Sequence, residues 1–316
     1  MNALENQLLL DRSNVAVKRK AKTMRGLQWK DHLLAYTFLA PSLLFFSIFF
    51  FYPLIKTVYY SFHETDPRGR VTSYIGLDNF VEIFKSAHFY KSLEVTGLFT
   101  LLTVPTCIIL ALALAALSHN RLKGMRMFQF IFSLPLALSV STSAVIWMML
   151  FHPTLGSFNY FLSLIGMDPI FWLTDPNWAL FSVSLMTIWM NIGFNYIILL
   201  SGLQGISEEI YDSAKIDGAG PIRTFTQIIL PLLSPTVFFV TIVSIIGAFQ
   251  SFGQIHILTK GGPIDNTNVL VYSIYQDAFI NFHFGTGSAQ ALVLFVIILI
   301  LTLVQFKVFE RKVHYQ

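Results

Sequence analysis

Residues 203–231 read LQGISEEIYDSAKIDGAGPIRTFTQIILP, a polar island between two apolar runs. Ser207 is placed to cap a helix, and Glu208 and Glu209 suit the positive end of its dipole. Asp217-Gly218-Ala219-Gly220 then breaks the chain, because glycine accepts turn conformations that other residues resist. Pro221 fits the first position of a second helix, on which Ile222, Phe225 and Ile229 are expected to share one face. Pro231 is expected to open the next apolar run. The stretch therefore predicts a helix–turn–helix with an exposed apolar rim. A membrane protein has little reason to order such a connection unless something docks on it, although a passive hairpin has the same pattern.

Outward from this island lie stretches long enough to cross a bilayer, which takes about 20 mostly apolar residues. Six qualify: 33–60, 94–118, 127–151, 178–202, 231–253 and 288–308. In the last five only Glu94 and Lys307 are charged, both at an edge, and Pro41 and Pro53 interrupt the first. Composition agrees: of 316 residues 54% are hydrophobic, 31 are Phe and only 12% are charged, against roughly 25% in soluble proteins. The chain is expected to be an all-α integral membrane protein of about six transmembrane helices.

The net charge of +4 is no nucleic-acid signal. Lys18, Arg19, Lys20, Lys22, Arg25 and Lys30 precede the first apolar run, where a basic flank is expected on the cytoplasmic side. With the N-terminus inside, the cytoplasmic parts are 1–32, 119–126, 203–230 and 309–316. Only Lys56, Arg68, Arg70, Lys85, Lys91 and Lys260 then lie outside. This gives an N-in/C-in arrangement: a basic segment 1–32, a permeation domain 33–308 and a short tail 309–316. In the first external loop Phe80, Ile83, Phe84 and Ala87 recur at helical spacing after a cap at Asp78, which reads as an amphipathic helix on the outer surface. It serves either as a plug of the bundle or as a gate or partner-docking element.

No catalytic site is visible. A Gly-x-x-x-x-Gly-Lys-[Ser/Thr] phosphate loop is missing, and the His and carboxylate residues lack metal-ligand spacing. His152 reads as an interfacial residue. Cys107 has no partner cysteine in this chain and sits in an apolar run, as a core or lipid-facing residue. Ion-coupled carriers keep charged relays inside the bilayer, and the later spans have none at depth, so energy is expected to arrive through the docking loop. A secondary carrier or channel is the rival reading. The polar residues inside are Asn191, Asn195 and Tyr196 in the fourth span, Gln250, Ser251 and Gln254 at the end of the fifth, and Ser139, Ser141, Thr142 and Ser143 in the third. Such groups point into the bundle. Interhelical glue is one role for them, and a pathway for hydroxyl-rich solutes is the other.

The island also carries a resemblance. Permeases of binding-protein-dependent ABC importers have a cytoplasmic loop reading Glu-Ala-Ala, three residues, Gly, nine residues, then Ile-any-Leu-Pro. Here Asp212-Ser213-Ala214, Gly218, and Ile228, Leu230 and Pro231 hold those places at matching spacing, with Asp for Glu and Ser for Ala. Tyr52-Pro53, Gly76-Leu77-Asp78-Asn79-Phe80 and Gly261-Gly262-Pro263 resemble the sugar-permease branch. Within it, residues 214–223, Ser288-Ala289-Gln290 and the tail from Val304 are similar to the A-type glycerol-3-phosphate permeases. The resemblance implies a type I ABC importer permease fold in a prokaryotic cytoplasmic membrane. It implies a heterodimer with a second permease, two ATPase subunits that carry ATP and Mg, and an external solute-binding protein. Loop 203–230, with Glu208, Asp212 and Arg223, would couple to an ATPase. The cargo would be a sugar or a sugar-like polyol phosphate, and no cofactor is expected in this chain.

Overall fold

The computed structural model of the chain describes residues 34–119 and 124–309. The basic segment 1–32, residues 120–123 of the basic loop and residues 310–316 of the tail lie outside the described residues. Two compact units divide at Tyr59/Tyr60. Among the described residues the first holds residues 34–59 of one long helix, α1 (Leu34–Ser61). It runs through both prolines, and a π turn at Ser47–Phe51 falls just before Pro53, where the proline nitrogen cannot donate to the preceding turn.

The second unit opens with a two-stranded ribbon. β1 (His63–Thr65) pairs antiparallel with β2 (Val71–Tyr74), His63 facing Tyr74. Asp66 Oδ1 holds the turn by accepting from the backbone N–H of Arg68 at 3.0 Å and of Arg70 at 2.7 Å. Helix α2 (Asp78–Lys85) follows, preceded by Leu77 without a side-chain cap, so Asp78 is the first helical residue rather than the cap. Its inner face is covered, while Phe84 stays exposed: Ile83 packs with Phe89, Leu270 and Ala289, and Asn79 Nδ2 donates to Ser61 O at 3.0 Å. Ala87 belongs to the next helix, where Ser86 caps the first turn of α3 (Ala87–Ser118).

The third expected span is the main departure. It is two helices, α4 (Met125–Ser133, continued by a 3-10 turn to Ala137) and α5 (Val140–Leu150), bent by 104°. Pro135 tightens the end of the first helix, and Ser139 caps the second by accepting from Thr142 N at 3.1 Å. A proline followed by a capping serine makes a corner that hydropathy does not register. Among the described residues five helices are long and apolar enough to cross a membrane, or six if the bent pair is one span.

Beyond the short α6 (Ser157–Leu164), helix α7 (Ala179–Gln204) is the central element and packs along α3 and α10 (Ser234–Phe249). A helical hairpin joins α7 to α10, made of α8 (Glu208–Ile216) and α9 (221–232). After α10 come α11 (Gly253–Leu258), α12 (Leu270–Tyr275, continued by a π turn to Ile280) and α13 (Phe284–Phe309). The apolar core of this unit has a part at the hairpin end, built on Leu199, Leu203, Ile229 and Leu233, and a part towards the far end around Trp147, Phe151 and Met186.

Candidate functional site

Gln250, Ser251 and Phe252 interrupt the helix between α10 and α11, inside the stretch Ser234–Leu258 that reads as one span. Irregular backbone at membrane depth persists only where protein covers it or where it borders a cavity. Here it borders a cavity of about 350 Å³ walled by α3, α5, α7, α10 and α11. Asn191, Asn195, Gln250 and Gln254 all line it, the two asparagines one turn apart on α7. Tyr196 does not. It is buried in the hairpin-end core, its ring 6.1 Å from that of Phe132. One residue beyond Asn195 turns the side chain by about 100°, away from the cavity.

The four amides differ in what they can do. Asn195 is 2% exposed and donates through Nδ2 to Cys107 Sγ on α3 at 3.2 Å and to Ser244 Oγ on α10 at 3.2 Å. It ties three helices together at the cavity wall. Gln254 is buried and reaches Thr187 Oγ1 at 3.4 Å. Asn191 is exposed and donates only to Thr187 O of its own helix at 3.0 Å, and Gln250 is exposed beside it. Asn191 and Gln250 therefore present their amides to the open space, while Asn195 and Gln254 shape its wall. Among the described residues no Asp, Glu, His, Lys or Arg lines the cavity. The residues that sequence reading missed are Cys107, Thr187 and Ser244, whose roles depend on partners far along the chain.

Other expected polar residues serve the backbone. Ser139 caps α5, and His152 Nδ1 accepts from the N–H groups of Thr154 at 3.3 Å and Leu155 at 3.2 Å.

The hairpin is built from local rules with two exceptions. Ser207 takes the extended conformation of a cap, but its side chain makes no capping bond; Ile210 N donates to its backbone oxygen at 3.2 Å. Gly218, at φ +71°, ends α8, with its N–H bonded to Lys215 O at 3.1 Å and Ala219 N to Ala214 O at 2.9 Å. That pair of bonds is the left-handed glycine termination of a helix. In α9 a π turn at Phe225–Ile229 shifts the register, so Ile229 is 1% exposed while Ile222 is 79% exposed. The three residues expected on one face are thus split, and the apolar rim consists of Ile216 and Ile222. Pro231 lies within the end of α9, and the next span opens at Ser234, followed by Pro235.

The expected docking residues sort by exposure. Ala214 is buried and Ile228 half-buried. Glu208, Ser213 and Arg223 are exposed, with Arg223 Nε donating to Gln227 Oε1 at 3.0 Å. Asp212 pairs with Lys215 at 2.9 Å on the open face of α8. Tyr211 stacks on His119 at the end of α3, ring centroids 5.1 Å apart, and burial raises its phenol above the ordinary range. At the root of the hairpin Gly202 allows a close approach: a Cβ there would stand 2.7 Å from Leu233 Cδ1 and from Thr236 Oγ1.

Residues 98–315 match the family described as binding-protein-dependent transport system inner membrane component. The sn-glycerol-3-phosphate transport system permease protein UgpA of Pectobacterium atrosepticum is 35% identical over 291 residues, 91% of this chain and 98% of that protein. UgpA of Agrobacterium fabrum is 35% identical over 295 residues, 92% of this chain and all of that protein (100%). Among solved structures, a chain of a bacterial alginate ABC transporter in complex with alginate pentasaccharide-bound periplasmic protein superposes with a TM-score of 0.80 at 25% identity, covering 89% of this chain and 96% of that one.

Proposed function

The chain belongs to the inner membrane component family of binding-protein-dependent transport systems and is a transport subunit of an ABC importer rather than an enzyme; on that premise we propose how it works. A sugar or sugar-like polyol phosphate, such as glycerol-3-phosphate, is delivered by the solute-binding protein and passes the cavity of Asn191, Asn195, Gln250 and Gln254. The chain pairs with a second permease subunit. Two ATPase subunits, which hold the ATP and Mg, seat against the hairpin 203–230. Both termini and the hairpin face the cytoplasm, in the cytoplasmic membrane of a prokaryote.

One observation carries this reading: the cavity amides sit on α7 and on the break and α11 that follow α10, and the hairpin connects α7 to α10. Movement of the hairpin is thereby movement of the pathway. Amides are both donors and acceptors and suit hydroxyl-rich solutes. A secondary carrier would need an Asp, Glu, His, Lys or Arg in the cavity, and among the described residues the lining supplies none.

Cysteine in place of Asn191 or Gln250 tests the reading, in the assembled importer held outward-open. Both sites are expected to react with a membrane-impermeant thiol reagent and to be protected by cargo. If they stay unlabelled while exposed outer-loop controls react, the amides are interhelical glue and the pathway lies elsewhere.

A further inference from the structure

At the end of the helices away from the hairpin, residues 259–268 link α11, which walls the cavity through Gln254, to α12. Three residues of this loop other than glycine have positive φ: Lys260 at +51°, Ile264 at +49° and Asp265 at +56°. Such angles are rare, most of all for a β-branched residue, and persist only where surrounding contacts fix them. Inside the loop Thr267 Oγ1 donates to Gly262 O at 2.6 Å and meets Thr259 Oγ1 at 2.7 Å. Towards other elements, Asn266 Nδ2 donates to Pro176 O at 3.2 Å, and Asn268 Nδ2 donates to His88 Nε2 on α3 at 3.2 Å.

His88 is the second residue of α3, and its Nδ1 lies 3.3 Å from Asp265 Oδ2. With Nδ1–H donated to that carboxylate, Nε2 is left as an acceptor, and Asn268 Nδ2 supplies the donor. Asn268 is fully buried, and its Nδ2 also stands 3.2 Å from Asp265 Oδ1 and 3.2 Å from Gln276 Oε1. Its Oδ1 has no partner among the described residues. The amide nitrogen thus faces three acceptors. Turning the amide over would set its oxygen against two others and strand the nitrogen instead, so the orientation is fixed.

We infer that His88 is a proton-operated latch of this loop: neutral, it holds Asn268 and keeps the strained loop against α3; protonated, it expels Asn268 and leaves the loop tied there by Asp265 alone. A proton on Nε2 sets one donor against another, and an amide that cannot turn over must withdraw. The pair with Asp265 survives and gains charge, but its side chains are 41% and 48% exposed, and exposed pairs hold weakly. The new cation also stands in the first turn of α3, at the positive end of the helix dipole. Other titratable groups on the surrounding elements are Lys91 and Glu94 of α3, which pair at 3.4 Å, Glu82 and Lys85 of α2, Lys260 of the loop, Tyr272 and Tyr275 of α12, and Asp277, held by Gln290 and Asn281. Among the described residues only Asp265 pairs with the imidazole. Histidine changes charge between about pH 5 and 8, so acid opens the latch. From the importer reading the inference takes only the orientation, which puts this end outside, where pH varies with the medium.

The test is a spin label at Ile264, 83% exposed, in the complete importer in nanodiscs, where both faces meet the same buffer and orientation does not enter. From about pH 8 to about pH 5.5 the mobile fraction of the signal is expected to rise about threefold or more. His88→Gln puts an amide oxygen in the place of Nε2 and does not titrate, so the loop is expected to stay ordered at both values. His88→Lys, charged at both, is expected to give the mobile signal at both. Unchanged basal ATP hydrolysis verifies assembly of each variant. A parent signal indifferent to pH overturns the latch, and so does an acid response that survives His88→Gln, since another group would then be the sensor. A His88→Gln loop mobile at both values, or a His88→Lys loop ordered at the higher one, overturns it too, because an acceptor at Nε2 would not be what holds Asn268. None of these results touches ATP-driven import, which is read separately from cargo-stimulated hydrolysis at the higher pH.

Discussion

Asn195 stands where α3, α7 and α10 meet, and its value lies in what its removal strands. Asn195→Ala leaves the half-buried Ser244 hydroxyl and the buried Cys107 thiol without their amide partner, a loss of about 1–3 kcal/mol where the stranded group is buried. Asn195→Asp places a carboxylate in a cavity wall with no cation and is expected to cost more. Thermal unfolding of the detergent-solubilised importer checks both, with Asn191→Ala expected to be near neutral because that side chain is exposed. An Asn191→Ala variant as unstable as Asn195→Ala would reverse the assignment of the two amides. The sequence marked both residues as candidates. It could not separate them, because spacing within a helix says nothing of which partner comes from another helix.

In the hairpin, stability and docking can be pulled apart. The Asp212–Lys215 pair is exposed, with side chains 67% and 75% accessible, so its loss is worth about 0.5 kcal/mol or less. Asp212→Ala is therefore expected to leave the unfolding temperature unchanged while lowering cargo-stimulated ATP hydrolysis; unchanged stimulation would remove Asp212 from the docking surface. Gly218→Val acts on the backbone instead. At φ +71° a side chain costs about 1–2 kcal/mol, more for a branched one, and the angle between α8 and α9 opens. Stimulation is expected to fall further than for Asp212→Ala. The glycine termination was legible from the residues alone, being a local rule. The split between Ile222 and Ile229 was not, because a π turn adds a residue to the helical period without any residue type that announces it.

Across the whole second unit, the hairpin shares one close-packed core with the helices that carry the pathway. Ile206 and Ile229 of the hairpin region pack with Leu199 and Leu203 of α7, Ala111 of α3 and Val240 of α10. Packed interiors shift as units rather than deform, so displacement of the hairpin should carry the cavity wall with it. Spin labels at Ile222 and Ile264, 79% and 83% exposed, report the two ends. Each distance is read against a fixed label on the partner permease. Trapping ATP is expected to move both labels together. Movement at Ile222 with Ile264 still would mean that the helices gate locally and that the core is not a rigid link.

Short-range physics settled much of this protein from residue types alone. Runs of apolar residues set the number of candidate spans, and Gly218 with Pro221 made the hairpin between two of them. Amides inside apolar runs pointed to a cavity, since lipid offers them no partner. Tertiary structure decided what depends on distant meetings. Cys107 meets Asn195 across 88 residues, Asn195 meets Ser244 across 49, and Thr96 Oγ1 accepts from Leu270 N across 174. It also decided that the third span turns a corner at Ser139 and that Tyr196 belongs to the core instead of the cavity. Hydropathy and spacing act over one or two helical turns, whereas a cavity exists only where several helices fail to close on one another.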